Sequence, residues 1–270
     1  MGQLVLALAL LLAPLAASAA DLPSWNEGPA RPTPERWTVT AAPYLWAARL
    51  DGDAKVRGIK ADVDVSFQDT LENLNVAGMA LIEARKGRFG FAVNPLFVRT
   101  QSDAESGPLA ADNTTDIATM GASLFYRAVE LDLGRNGRGD PQSLAIEPLV
   151  GARLNYLRGE IDTRLDAFGR SARRQVDESQ TWVDPIVGVN AILRLSEHWG
   201  VRSEADIGGF GVGSDLTWNA QAVVTYGFTV WGYDAFAAAG YRALYWDYKD
   251  GGFEWDVTMS GPMLGAGVRF

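Results

Sequence analysis

The chain has 270 residues, no cysteine, and 24 basic against 33 acidic side chains, for a formal net charge of -9. The acidic balance without any basic stripe excludes a nucleic-acid binder, and the missing cysteines exclude disulfides and lipoprotein anchoring. A mean hydropathy of -0.04 does not exclude a membrane barrel, because only alternate strand residues of such a protein meet lipid.

Residues 1–20 read as a secretory signal peptide. Leu4 to Ala16 form an apolar stretch too short to cross a bilayer as a helix. Ala17-Ser18-Ala19 is a small-residue cleavage site, although no Lys or Arg precedes the apolar stretch. The mature chain then begins near Ala20 or Asp21. Residues 21–36, with several prolines, read as an unstructured periplasmic leader. No later run of about 18 apolar residues occurs, so no helical anchor is expected.

From Trp37 onward the sequence alternates. Strands are predicted at 37–50, 74–86, 88–100, 114–130, 143–158, 181–195, 199–212, 216–230, 233–248 and 254–270. That is about ten, an even number as single-chain bacterial barrels require. With the carboxy end periplasmic, the short connections at Lys86-Gly87-Arg88, Ser196-Glu197-His198 and Trp231-Gly232 fall on that side. The long ones at 51–73, 101–113 and 159–180 fall on the other. Two connections break the rule, 131–142 being long below and 213–215 short above. Within 51–73, Val56, Ile59, Val63, Val65 and Phe67 alternate with charges, which predicts an outer hairpin or an extension of the first two strands. Residues 70–74 predict a helical turn. The expected fold over 37–270 is all-β, a transmembrane antiparallel up-and-down barrel with long extracellular loops and short periplasmic turns.

Strand parity separates two faces. One carries Ile146, Val150, Leu154, Val183, Val187, Val189, Val201, Val224 and Ala239. The other collects Glu83, Arg85, Glu147, Arg153, Asp184, Arg194, Arg202, Glu204, Asp206 and Arg242. A soluble barrel uses the same alternation inverted, so parity alone does not assign the faces. The mixed charge signs, and the long uncharged runs opposite them, point to a lumen inside and lipid outside. Aromatic residues at strand ends predict two interfacial girdles: Trp37, Phe89, Trp199, Trp231 and Phe270 below, Trp46, Trp182, Trp218, Trp246 and Trp255 above. Tyr44, Trp46, Trp182, Trp246 and Trp255 also fall on lumen parity near the outer mouth, a candidate cluster for an apolar ligand. Barrels near eight strands are filled by side chains, so a salt-bridged plug is expected ahead of a narrow polar pore.

The closing strand places Gly265, Val268 and Phe270 at the carboxy end, with Met263 where a large polar residue is expected. It resembles the signal read by the outer-membrane barrel-assembly machinery. Together with WTVTAAPYLWAA, LIEARKGRFGF, WVDPIVGVNA and GAGVRF, it resembles the small Gram-negative outer-membrane β-barrel superfamily, which includes OmpA-like and OmpW-like barrels. The resemblance implies an outer-membrane location, contact with outer-membrane lipids and lipopolysaccharide, and handling by the assembly machinery. It implies no shared active site. The sole histidine, His198, sits in a tight turn whose Ser196 and Glu197 are too near in sequence to form a triad with it. Asp51-Gly52-Asp53 lacks the spacing of a calcium loop. No catalytic, metal or cofactor site is expected. The expected role is structural or interactive, or slow passage of small solutes. The alternatives are a soluble periplasmic ligand-binding barrel and a lipid-modifying outer-membrane enzyme.

Overall fold

Period-two alternation over long stretches leaves a chain one economical arrangement, an antiparallel sheet with a distinct chemistry on each face. The computed structural model describes residues 36–56, 59–106, 109–167 and 170–270. The signal peptide, and all of the leader except Arg36, lie outside them. In chain order the elements are β1 (Thr38–Trp46), β2 (Arg49–Val56), β3 (Ile59–Val65), α1 (Phe67–Glu72), β4 (Leu74–Lys86), β5 (Phe89–Ser106), β6 (Leu109–Tyr126), β7 (Val129–Arg135), β8 (Pro141–Ala167), β9 (Arg170–Arg194), β10 (Trp199–Gly209), β11 (Leu216–Val230), β12 (Tyr233–Asp250) and β13 (Phe253–Arg269).

Ten of these strands form a closed antiparallel ring in the order β1-β4-β5-β6-β8-β9-β10-β11-β12-β13, with β13 returning to β1. Closure removes the sheet edges that an open barrel would expose. At the seam Val39 and Phe270 exchange both backbone hydrogen bonds, at 3.1 and 2.8 Å. The end of the ring that carries Thr38 and Phe270 is called lower here. At the upper end β2 and β3 form a hairpin whose β2 pairs with the upper part of β13. At the lower end β7 pairs with the beginning of β8.

Five predicted segments change form. The first strand breaks at Ala47 and Ala48 into β1, which stays with β4, and β2, which leaves it. The connections at 101–113 and 159–180 are strand along nearly their whole length, because the β5–β6 and β8–β9 pairings continue in register to Ser106↔Leu109 and Ala167↔Arg170. The connection at 131–142 is mostly β7 and the start of β8. The expected helical turn is α1, displaced toward the amino end. Ser66 and Asp69 cap it reciprocally, Asp69 N–H donating to Ser66 Oγ at 3.2 Å and Ser66 N–H to Asp69 Oδ2 at 3.1 Å.

The faces fall as parity assigns them. Val187, Val189 and Val224 point outward at 45, 39 and 45 % exposure, while Arg153 and Arg242 are buried inside. Along β8 the outward positions Leu144, Ile146, Pro148, Val150, Ala152, Leu154 and Tyr156 carry no charge; Arg158 is the first. Twelve residue steps of ~3.4 Å at a tilt of ~40° give a height of about 30 Å, enough for a hydrocarbon band of about 25 Å. Tilt also shows in the register. One hydrogen-bonded outward row runs Leu131, Leu144, Leu193, Val201, Val224, Ala239, Leu264, Leu45. It starts at the lower rim on β7 and finishes at the upper end of β1, apolar at every step. An apolar exterior this continuous suits lipid rather than water.

The lower girdle stands as expected, with Trp37, Phe89, Trp199, Trp231 and Phe270 all exposed. Phe89 meets Tyr126 at 4.8 Å, Trp199 meets Tyr226 at 4.9 Å and Phe270 meets Tyr233 at 5.6 Å. The upper girdle needs correction. Trp46, Trp182, Trp246 and Trp255 are buried inside, since their positions share parity with the lumen charges. Of the upper five only Trp218 looks outward, stacked on Tyr245 at 6.0 Å.

Sharp coiling brings neighbouring strands close at glycines on the inner face. A Cβ on Gly151 would lie 2.1 Å from the Ala122 carbonyl oxygen, and one on Gly240 2.1 Å from that of Ala222. Backbone cannot retreat from such contacts as a flexible side chain can. Gly151→Ala is therefore expected to destabilise the barrel by about 1–3 kcal/mol, as overpacking does, read as a lower urea midpoint of the refolded protein. Gly159→Ala, at a site with nothing near the added carbon, is expected to leave the midpoint close to its original value.

Candidate functional site

The interior of the ring holds the chemistry, in two tiers. The lower and middle tier is ionic. Glu147 has no exposure and accepts hydrogen bonds from Arg85 at 2.7 and 3.0 Å and from Arg127 at 2.9 Å. Glu83 bridges Arg85 at 3.2 Å and Arg202 at 2.6 Å. Arg85 also lies over the Phe125 ring at 4.7 Å, so its charge is held on several sides.

Toward the middle, Arg153 donates to Asp206 at 2.7 Å and to Thr217 Oγ1 at 3.2 Å. Asn219 links three charges: its Nδ2 donates to Asp206 at 2.9 Å and Glu204 at 3.2 Å, and its Oδ1 accepts from Arg242 at 2.8 Å. Arg242 continues to the Tyr44 hydroxyl at 3.1 Å, and Tyr44 donates to Asn94 at 2.7 Å. The same guanidinium sits 4.8 Å from the centre of the Trp46 ring.

Asp184 joins the two tiers. It has no exposure and, among the described residues, no cationic partner. Four neutral donors hold it: Ser214 N–H at 2.6 Å, Ser214 Oγ at 3.0 Å, Asn155 Nδ2 at 2.8 Å and Trp182 Nε1 at 3.1 Å. Asn155 Oδ1 in turn accepts from Trp246 Nε1 at 3.0 Å. Above lies an apolar core that includes Trp46, Trp182, Trp246, Trp255, Tyr248 and Phe253, with Tyr44 packed against it. Trp182 stacks on Tyr248 at 4.1 Å with planes 10° apart. A cleft of about 10 Å³ remains among Ile117, Leu157, Trp182, Trp246 and Trp255, room for about one water.

Of the ten charges placed in the lumen by parity, nine are drawn into this interior. Arg194 is the exception. It is the last residue of β9, exposed at the lower mouth, and makes no ion pair among the described residues. The five aromatic residues expected at the upper lumen come together, packed among aliphatic side chains that narrow the space. At the seam, Gly265 faces Tyr44, where a Cβ would come within 2.9 Å of the tyrosine Cβ. Val268 is half-buried and Phe270 exposed, while Met263 points into the interior core.

Several contributors escaped residue-by-residue reading. Arg127 belongs to the ionic tier although it lies just past the end of β6. Ser214 comes from the upper β10–β11 turn, which follows three consecutive positive φ values at Gly209, Phe210 and Gly211, of 86°, 51° and 74°. Asn155 and Asn219 share parity with the charges, and only the fold reveals that they bridge them. Among the described residues, two buried polar atoms, Asn190 Oδ1 and Trp46 Nε1, have neither a hydrogen-bond nor an ion-pair partner. His198 is exposed, its Nδ1 3.0 Å from the Gly227 carbonyl oxygen, beside the Tyr226 ring.

No protein-family model matches the chain. No curated protein matches it in sequence. Among solved structures it is similar to Ail, the attachment invasion locus protein of Yersinia pestis, in complex with the heparin analogue sucrose octasulfate, at 15 % identity and a TM-score of 0.33, covering 87 % of this chain and 98 % of that one. It is similar to Neisserial surface protein A at 15 % identity and a TM-score of 0.31, covering 87 % and 97 %. A FadL homologue of Pseudomonas aeruginosa gives 10 % identity and a TM-score of 0.25, covering 87 % and 89 %. At these values no residue role passes from those proteins to this chain. The fold is a closed ten-stranded antiparallel barrel.

Removing one partner of a buried ion cluster strands the others. Glu147→Gln leaves Arg85 and Arg127 without their shared anion and is expected to cost about 3–5 kcal/mol, measured by urea unfolding in detergent or lipid. Arg194→Gln, at the exposed mouth, is expected to shift the same curve by less than about 0.5 kcal/mol.

Proposed function

We propose that this chain is an integral outer-membrane barrel with a closed interior, serving a structural or interaction role in the envelope rather than conducting solutes. One observation carries the reading: charged and polar side chains fill the inside, including Glu147, Asp184 and Thr217 with no exposure, while the outside is apolar. An aqueous pore leaves lumen side chains wet. A soluble ligand-binding barrel requires the opposite polarity, with apolar residues inward along the whole strand and polar ones facing water. Export by residues 1–20, assembly through the carboxy-terminal strand, and contact with outer-membrane lipid and lipopolysaccharide belong to this proposal. A non-catalytic role fits the setting of His198, an exposed turn residue whose ring meets the Gly227 carbonyl and the Tyr226 ring. The buried acids of the lumen are engaged by arginines and neutral donors.

Two measurements test it. Carbonate extraction of envelopes is expected to leave the protein in the membrane; release into the soluble fraction would reject the membrane reading. Planar-bilayer recording of the purified protein is expected to show a quiet baseline, and steady unitary openings would reject the closed interior. Val187→Arg, midway along the outward face of β9, is expected to cost about 2–4 kcal/mol in vesicles. Val212→Arg, exposed on the upper turn, is expected to cost far less.

A further inference from the structure

At the upper end of the barrel the wall is interrupted. β5 loses β4 at the Leu74↔Thr100 pair and continues upward paired with β6 alone. On the other side of the break stands β3, which pairs with β2 alone. Its far edge presents backbone N–H and C=O groups with no strand partner. β7 also has a free edge, but a register shift between Asp132 and Gly134, with a φ of 85° at Gly134, bends it out of line. β3 has no such guard. It contains no proline, and its register with β2 runs unbroken from Val56↔Ile59 to Leu50↔Val65.

The two faces of β3 differ in chemistry. Inward, Val63 packs against the aromatic core and Val65 is half-buried, with Phe67 exposed just beyond. Outward, the register sets Asp62 opposite Asp53, Asp53 opposite Asp256 and Asp256 opposite Asp247. An unbroken row of aspartates thus runs from β3 to β12, an arrangement that costs stability because like charges face one another directly. Lys249 relieves Asp247 at 2.8 Å, and Arg49 serves Asp51 and Asp64, in the next row down, at 2.7 and 3.2 Å. Asp53, Asp62 and Asp256 are exposed and have no cationic partner among the described residues.

We propose that β3 takes up an extended segment of another polypeptide as an added strand, one that alternates basic and apolar residues. Lys or Arg on the outward side of that segment meets Asp62 and the row behind it, and apolar residues on its inward side lie beside Val63, Val65 and Phe67. The inference deepens the interaction role proposed above and rests on the membrane reading. A second copy of this chain does not fit. Copies in one membrane share a vertical direction, so β3 meets β3 only in parallel, with Asp62 against Asp62 and Asp64 against Asp64.

The probe is a fluorescein-labelled octapeptide alternating Lys and Val, titrated by anisotropy against the full refolded chain in phosphatidylcholine vesicles. It is expected to bind, and a peptide alternating Glu and Val is expected not to. A peptide alternating Lys and Pro carries the same charge but cannot extend a ladder, and is expected to bind at least about tenfold more weakly. Asp53→Asn and Asp62→Asn together are expected to weaken the Lys–Val peptide about tenfold. Neither substitution threatens the fold, since each relieves like-charge repulsion. Asp215→Asn, on the upper β10–β11 turn, is expected to leave the affinity unchanged. Equal binding of the Lys–Pro peptide, an unchanged affinity in the double variant, or an equal loss in Asp215→Asn overturns the docking site. So does a chain that stays in the membrane through carbonate extraction yet ignores the Lys–Val peptide, and there the membrane reading survives. Release by carbonate overturns the membrane reading itself, and the docking site with it.

Discussion

A charge left alone in a closed interior costs several kcal/mol, and this ring encloses ten of them. Arg85, Arg127, Arg153, Arg202 and Arg242 stand against Glu83, Glu147, Asp184, Glu204 and Asp206, so the formal charges cancel within the wall. The chain's net charge of -9 therefore lies elsewhere. Every enclosed cation is arginine; Lys55, Lys60, Lys86 and Lys249 all stay out of the lumen. A guanidinium presents a planar fork of five donors, and that suits bridging better than a single ammonium. Arg85 spans two glutamates, and Arg242 reaches an amide, a phenol and an indole face at once. Such spans tie distant strands across the lumen. The network sets strand register as well as charge balance, because a slip of one residue would turn every arginine out to the apolar face.

Much of this was legible because strand parity is a strict period of two and because a buried charge announces the inner face wherever it occurs. Val187 and Arg153 needed no coordinates to be placed on opposite sides. Parity does not report where a wall stops. Arg194 has the right parity and the wrong height, and Trp46, Trp182, Trp246 and Trp255 were at the right height with inward parity, which rules them out as a girdle. Nor does sequence separate a loop from a strand that outgrows the membrane. The segments 101–106 and 170–180 are polar, as loops are, yet their partners extend beside them and the ladder continues. The role of Ser214 was illegible, since it depends on a turn whose left-handed backbone carries a non-glycine residue, Phe210. Nothing in the residue types around 210–215 points to an aspartate thirty residues earlier in the chain.

That turn matters because the wall is of unequal height. β8 and β9 run on together far beyond the point where β10 and β11 turn back, and Ile186 is the last residue of β9 paired with β10. Between β9 and β12 the upper wall would therefore be open directly above the ionic tier. Two contacts close it. Ser214 reaches in and satisfies two hydrogen bonds of Asp184, and Trp182 stacks on Tyr248 across the gap. Asp184 can remain buried without a cation only because four neutral donors converge on it, two of them from Ser214. The apolar tier above keeps water from that carboxylate, and the carboxylate in turn orients the Trp182 indole and, through Asn155, the Trp246 indole. Ionic and aromatic tiers are thus one packing unit, joined at an anion whose position is fixed by the six-residue connection between β10 and β11 at the upper end of the barrel.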